Sequence, residues 1–249
     1  MNKRFREDIL LLAMSLGVSL CAVSFLVIGK ANTDTNPSGG MMAWMEDLNG
    51  ATSESYERAS SRMKEMGTNA LPGLMGMLTS EASSGEGMAM AFQDAGLPML
   101  HIETALDRQW QALKGFEVLG SNALPVFDSL VGLLNGGQHA DVVPFALAEM
   151  GEPALEPLQS AMSHRNEAVR WNSALAVSTF GKDGASGVGA LLNLLEDANA
   201  RVRCAAASAL GILGKNDDEV VAALSESLMD QDSTVRSAAT KSLELLLRR

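Results

Sequence analysis

One short pattern recurs at a fixed interval in the C-terminal half and constrains the fold more than any other feature. A Val-Arg pair occurs at 169–170, at 202–203 and at 235–236, a spacing of 33 residues. A polar residue stands four positions before each arginine, at Asn166, Asn199 and Asp232. Features that coincide at one period indicate a repeat protein, in which each unit is one supersecondary structure stacked on its neighbours.

The second half of each unit has the pattern of an amphipathic helix. Asn199 is predicted as an N-cap, whose side-chain oxygen accepts from free backbone N–H groups of the first turn. Gly214 is predicted to end the helix. The apolar residues between them fall on one helical face, at Val202, Ala205, Ala206, Ala209, Leu210 and Leu213.

The first half of each unit begins at a glycine and is also predicted to be helical. The unit starts are Gly67, Gly120, Gly151, Gly181 and Gly214. Prolines at 72, 125 and 157 lie early in this helix, where the missing N–H costs least. Each unit is therefore predicted to be two antiparallel helices, and the wide gap between the first two units, near 80–100, to be an irregular insertion.

These residues resemble the HEAT repeats, in particular the short phycobilisome-lyase type. That pattern has an early proline and a late Asp in the first helix, then Val-Arg and a closing Ala-Leu-Gly-x-x-Gly in the second. The best match is 197–214, and the resemblance covers roughly 53–249. Its first part is similar to uncharacterised membrane-anchored bacterial HEAT proteins. The resemblance implies an all-α fold, a right-handed α-solenoid of stacked antiparallel helix pairs, whose usual role is to bind partners.

The resemblance also implies a ladder of Asp-to-Arg contacts between consecutive repeats. His164 stands where the family has Asp, so one rung is in doubt. The residues assigned to the ladder are Asp197, Asp230, Arg170, Arg203 and Arg236.

The N-terminal part has the composition of a membrane segment. Residues 9–29 carry no charge, and a helix of that length spans about 31 Å, which matches the hydrocarbon core. Lys3, Arg4 and Arg6 precede the segment, whereas only Lys30 follows closely, so 1–8 are predicted to be cytoplasmic and the rest extracytoplasmic. The alternative is a cleaved signal peptide, which would leave a secreted or periplasmic protein.

The remainder is predicted to be a polar tether, 30–43, and a HEAT domain, 44–249. The whole chain has a net charge of −11, and four of its 19 basic residues but only two of its 30 acidic residues lie in 1–30. An acidic domain repels phosphate backbones, so nucleic acid is not an expected partner. The three histidines and two cysteines have no metal-ligand spacing, and no nucleophile or phosphate-loop motif occurs. No cofactor is therefore expected.

A binding surface is predicted on the second helix of each repeat, on the face opposite Val169. Trp171 would project there from a groove of small residues and anchor an apolar side chain of a partner. The alternative is that Trp171 packs against the neighbouring unit that ends at Gly151. The other positions assigned to this face are Ala174 and Ser178, then Cys204, Ala207 and Gly211, then Ser237, Thr240 and Glu244.

These features together predict a membrane-anchored, extracytoplasmic HEAT-repeat scaffold that binds a protein or peptide and catalyses no reaction. Two alternatives stay open. One is an enzyme of the HEAT lyase type, and the other is a structural spacer of the cell envelope.

The predicted topology can be tested with a reporter fused after Arg249. Because the basic residues precede 9–29, a reporter that is active only outside the cytoplasm should be active in this fusion. Activity of a cytoplasm-specific reporter at the same position would contradict the orientation.

Overall fold

The computed structural model describes residues 44–49, 52–82, 104–214 and 217–247. The predicted anchor, the tether and most of the predicted insertion lie outside these residues. The chain divides into two compact units. The described residues of the first fall within Met1–Ala59 and Gly73–Gln111, and those of the second within Ser60–Pro72 and Ala112–Arg249.

The described residues are helical and contain no β-strand, as the sequence predicts. Short 3₁₀ turns occupy Glu46–Asn49, Gly67–Ala70, Gly120–Val126, Glu152–Ala154 and Gly181–Gly187. The α-helices are α1 (Ser53–Met66), α2 (Leu71–Leu78), α3 (Ala105–Leu119), α4 (Phe127–Gly136), α5 (Val143–Ala148), α6 (Leu155–Ala161), α7 (Glu167–Ser178), α8 (Val188–Leu194), α9 (Ala200–Leu213), α10 (Asp218–Ser227) and α11 (Ser233–Leu247).

In the first unit, reciprocal side-chain caps fix the starts of α1 and α3. The Ser55 backbone N–H donates to Thr52 Oγ1 at 3.1 Å, and the Thr52 N–H donates to Ser55 Oγ. Thr104 and Asp107 make the same exchange at α3. Each exchange satisfies two backbone donors that a helix start leaves free.

The second unit is built from helix pairs in two layers. The first helices of the pairs, here called A helices, are α4, α6, α8 and α10, and each packs on the B helix that follows it, α5, α7, α9 or α11. Each B helix also packs on the next B helix, and the most extensive of these contacts joins α9 to α11. This arrangement is the predicted stack of helix pairs.

The glycines that start the repeats act for two different reasons. Four of them have a positive φ of +51° to +86°, which L side chains rarely adopt: Gly67, Gly120, Gly151 and Gly181. Gly214 instead has φ −79°. A Cβ there would lie 2.5 Å from Val220 Cγ1 and 2.8 Å from the Leu210 carbonyl oxygen, so Gly214 is required by lack of space.

The predicted N-caps of the B helices are present. In each case the side-chain oxygen accepts from the backbone N–H two residues later, at 2.7–3.0 Å. The capping residues are Asn166 for α7, Asn199 for α9 and Asp232 for α11. The period of 33 residues therefore marks the true starts of these helices.

One described stretch, Ala105–Gly136, is long and apolar enough to cross a membrane by length and composition alone, with a mean hydropathy of 1.2. It is not one straight helix. The backbone breaks at Gly120, whose φ is +51°, and a 3₁₀ turn separates α3 from α4. The stretch thus contains a repeat boundary like the others.

Close packing of α9 on α11 depends on small residues. Ser242 of α11 donates its buried hydroxyl to the Ala207 carbonyl of α9 at 2.8 Å. A Cβ at Gly211 would overlap the Ser242 side chain and would lie 2.8 Å from its Cα. The two helices can therefore approach this closely only because position 211 has no side chain.

We expect Gly211→Ala to destabilise the protein. The added methyl group must displace the α11 backbone, which costs about 1–3 kcal/mol and outweighs the helix propensity gained. The matched control is Gly132→Ala in α4, where a Cβ meets no atom within 4 Å. Urea unfolding of the full chain should show a lower free energy of unfolding for Gly211→Ala and an equal or higher one for Gly132→Ala. Equal effects would contradict the close approach.

Candidate protein-binding surface

An ion pair joins the repeat that starts at Gly151 to the repeat that starts at Gly181 and sets the spacing between them. Arg170 Nε lies 2.7 Å from Asp197 Oδ2, and Nη2 lies 2.9 Å from Oδ1. The Arg170 Nη1 group donates to the carbonyl oxygen of His164 at 2.9 Å. Asp197 Oδ1 also accepts from the Asn199 backbone N–H, so one carboxylate links two repeats and orders the turn before α9.

The next interface repeats this geometry. Arg203 donates to Asp230 at 2.8 and 2.9 Å and to the Asp197 carbonyl oxygen at 2.8 Å. Asp230 Oδ1 accepts from the Asp232 backbone N–H. In both rungs the hydrogen bonds from arginine hold the pKa of the aspartate below its ordinary value. The contacts predicted for Asp197 and Asp230 are therefore confirmed.

The ladder changes at both ends of this pair of rungs. Arg236 donates through Nη1 to the carbonyl oxygens of Asp230 and Gln231, at 2.7 and 3.1 Å. Within the described part of the chain, no carboxylate forms an ion pair with it.

His164 replaces the aspartate of an earlier rung. Its Nδ1 accepts from the Asn166 backbone N–H at 3.0 Å, as the aspartates do two residues before their caps. Its Nε2 lies 3.2 Å from the Asn135 carbonyl oxygen, which a neutral ring with the proton on Nε2 satisfies. A Cβ at Gly137 would lie 2.9 Å from the ring. The rung that the sequence left in doubt is thus a hydrogen bond from a histidine rather than an ion pair.

We expect Asp230→Asn to lower the free energy of unfolding by about 1–3 kcal/mol at neutral pH, because it leaves the Arg203 charge buried and poorly paired. The lowered pKa means that the stabilisation is present above the ordinary aspartate value of 3.8 and is lost as pH falls through the folded-state value. The wild-type protein should therefore lose more stability than the variant on acidification below about pH 4. Urea unfolding across pH measures both effects.

The control for this substitution is Asp183→Asn, an exposed aspartate in the 3₁₀ turn before α8. Its effect should stay within about 0.5 kcal/mol. Equal losses in the two variants would show that the ladder does not hold the repeats together.

Three of the residues predicted to line an exposed groove do not lie on the surface. Ala174 and Ala207 are fully buried, and Gly211 lies against Ser242. The exposure predicted for them is wrong, because the side of each B helix that carries them faces an adjacent B helix. Small residues here permit close helix packing.

A different strip of α7, α9 and α11 is exposed or partly exposed to solvent. It follows positions i, i+3, i+7 and i+11 and is repeated at 33-residue steps; we call it the B-helix face. Its members are Ala168, Trp171 and Leu175 on α7 with Thr179 at the C-cap of that helix, Arg201, Cys204, Ser208 and Ile212 on α9, and Thr234, Ser237, Lys241 and Leu245 on α11.

Trp171 is half-buried on this face and contacts the following repeat. The guanidinium carbon of Arg201, on α9, lies 4.0 Å from the centroid of its indole ring. Such a cation–π contact orients both side chains and leaves the edge of the guanidinium group available for hydrogen bonds. The alternative expectation is that Trp171 packs against the preceding unit, which ends at Gly151. The ring contact with Arg201 is instead made to the following repeat.

The remaining predicted positions have mixed surroundings. Cys204 is half-buried, and burial and the charge of Asp232 raise the pKa of its thiol, so it stays protonated at neutral pH. Ser178 is half-buried and donates to the Leu175 carbonyl oxygen at 2.7 Å. Ser237, Thr240 and Glu244 are exposed on α11, but only Ser237 belongs to the B-helix face.

The sequence reasoning missed the apolar members of the face. Ile212 and Leu245 are 43% and 37% exposed, and Leu175 is half-buried beside them. Positions 179, 212 and 245 are equivalent in the 33-residue repeat, and position 179 lies eight residues after Trp171, on the same side of the helix. This spacing is the signal from which Ile212 and Leu245 could have been found. Groups of His, Cys, Asp or Glu that could hold a metal ion are absent from the described ranges.

Comparison with known families identifies the repeats. Residues 182–244, which contain α8 to α11 up to Glu244, match the family model for HEAT repeats. None of the curated proteins matches the chain. The chain therefore contains HEAT repeats of the kind its Val-Arg period predicts.

Several solved structures are similar to this chain. A crystal structure of an engineered protein aligns with 84% of this chain and 97% of its own, at 17% identity and a TM-score of 0.44. A designed armadillo repeat protein in complex with the peptide (KR)4 aligns over 82% and 98%, at 14% identity and a TM-score of 0.43. Human deoxyhypusine hydroxylase in complex with glycerol aligns over 93% and 92%, at 15% identity and a TM-score of 0.42.

Proposed function

We propose that this HEAT-repeat chain is a membrane-anchored, extracytoplasmic scaffold that binds a protein partner on the B-helix face and catalyses no reaction. The observation that carries the proposal is the presence of a half-buried Trp171 and of the exposed side chains of Ile212 and Leu245 on three consecutive B helices. Aromatic and aliphatic side chains on a rigid surface are the usual anchors of protein interfaces.

The rigidity of the surface supports a binding role. The ladder holds α7, α9 and α11 in register through two bidentate ion pairs. The N-caps fix the first turn of each of these helices. A partner that contacts three such helices binds a preorganised surface and loses less entropy than it would on mobile loops.

The chemistry of the face favours binding over catalysis. Cys204 is its one thiol, and the raised pKa of that thiol makes it a poor nucleophile. The other polar members are hydroxyl groups, a guanidinium group and an ammonium group. Among these hydroxyl groups, and within the described part of the chain, only that of Thr234 donates to a carboxylate, and that carboxylate belongs to Asp232, the N-cap residue of α11. The Ser208 hydroxyl donates to a backbone carbonyl oxygen.

The placement outside the cytoplasm rests on the sequence of the N-terminal part. The uncharged segment 9–29 and the basic residues before it support an anchor with a cytoplasmic N-terminus. The polar stretch 30–43 would then separate the repeats from the membrane surface. A scaffold held in this way would capture partners at the membrane.

Site-specific crosslinking in intact membranes of the source cells tests the proposed surface. A photoreactive amino acid replaces Ser237, which is exposed on the B-helix face, or Ser160, which is exposed on the A helix α6. We expect a discrete adduct from position 237 and none from 160. Trp171→Ala should reduce the adduct, because it removes the aromatic anchor.

Thermal unfolding supplies the control for the Trp171→Ala variant. Its melting temperature should stay near that of the wild type if the ring serves mainly as a contact for the partner. Equal adducts from positions 237 and 160, or none from 237, would overturn the proposed surface. A large loss of stability in Trp171→Ala would assign the ring to packing between repeats.

A further inference from the structure

The charge of the B-helix face is opposite to that of the chain. The sequence has 30 acidic and 19 basic residues. The twelve residues of the face nevertheless include two basic residues, Arg201 and Lys241, and no acidic one. A local excess of positive charge on an acidic protein attracts carboxylates to one place and repels them elsewhere.

Arg201 is held ready to accept a carboxylate. Its guanidinium carbon lies over the Trp171 ring, 4.0 Å from the centroid, and no carboxylate of the described residues forms an ion pair with it. Stacking uses the flat face of the group, whereas hydrogen bonds to a carboxylate form at its edge. The same side chain can therefore bind the aromatic ring and an acidic partner group together.

Lys241 extends the positive charge to the third helix. It is exposed, and within the described residues no ion pair joins it to a carboxylate. Lys241 occupies on α11 the position that Ser208 occupies on α9, one helical turn after Cys204. The two basic groups and Trp171 thus lie on three consecutive B helices.

The acidic residues at the edge of the face are already engaged. Asp232 accepts from the Thr234 N–H at 2.7 Å as the cap of α11. Glu167, one position before Ala168, accepts from the Asn199 side-chain amide at 2.6 Å. Neither carboxylate is among the groups that pair with Arg201 or Lys241.

We propose that the B-helix face selects an acidic protein segment, one that places carboxylates on Arg201 and Lys241 and an apolar side chain beside Trp171. This inference rests on the proposed function and adds the chemistry of the partner. An oligonucleotide is the competing polyanion, but two basic residues on a chain of net charge −11 offer too little charge to release many counterions.

Fluorescence anisotropy of the full chain in detergent micelles, with labelled twelve-residue probe peptides, tests the inference. The acidic probe alternates Glu with Leu, the neutral probe alternates Gln with Leu, and a single-stranded oligonucleotide serves as the third probe. We expect the acidic probe to bind at least about fivefold more tightly than the neutral one, and less tightly as salt is raised. The oligonucleotide should not bind.

Charge variants locate the site. Arg201→Gln combined with Lys241→Gln should remove most of the preference for the acidic probe. Lys182→Gln combined with Arg165→Gln changes the net charge equally at exposed positions off the face and should leave the preference unchanged. If Arg236→Gln alone removed the preference for the acidic probe, the acidic segment would bind at the last arginine of the ladder, and the inference would be overturned.

The outcomes separate this inference from the proposed function. Equal affinity for acidic and neutral probes, both weakened by Trp171→Ala, would overturn the charge preference and leave the binding surface standing. Binding of the oligonucleotide in preference to the peptide would also overturn it. If no probe binds, the inference that the partner is an acidic segment is overturned. The proposed binding surface is tested separately, by the crosslinking from position 237.

Discussion

The bidentate pairing of an arginine in one repeat with an aspartate in the next sets the arrangement of the second unit. Each arginine also binds the carbonyl oxygens of the turn that precedes its own helix, and each aspartate also caps the turn of the next. Each aspartate side chain therefore fixes both the distance between repeats and the direction of the following B helix. The packing of α7, α9 and α11 follows from this constraint.

Close approach of the B helices has a second requirement, which is the absence of bulk between them. Gly211 lies against Ser242, and Ala174 and Ala207 are fully buried. Ion pairs alone would not determine how near the helices come, because arginine is long and adaptable. Small side chains on the packed sides of α7 and α9 leave only a narrow strip of each of these two helices exposed, and this strip includes Trp171, Arg201 and Ile212.

The surface therefore combines two properties that seldom coincide on an acidic chain. It is rigid, because the ladder and the caps order the helices beneath it, and it is basic, because Arg201 and Lys241 have no acidic residue beside them within the face. Stacking of Arg201 on Trp171 connects the two properties, since the contact crosses from one repeat to the next. The residues proposed to bind a partner therefore also contribute to the packing of the repeats.

The amino-acid sequence by itself determined the helix pairs, their caps and the ladder, because each depends on residue types at fixed local spacing. Asn199 and Gly181 could be assigned from the repeated pattern of residues, and Asp230 from the resemblance of that pattern to HEAT repeats. Tertiary structure decided which side of a B helix is open. An alanine or glycine has the same pattern in an exposed groove as between packed helices, and only the neighbouring helix shows that Ala207 and Gly211 are covered while Ile212, one residue later, faces solvent.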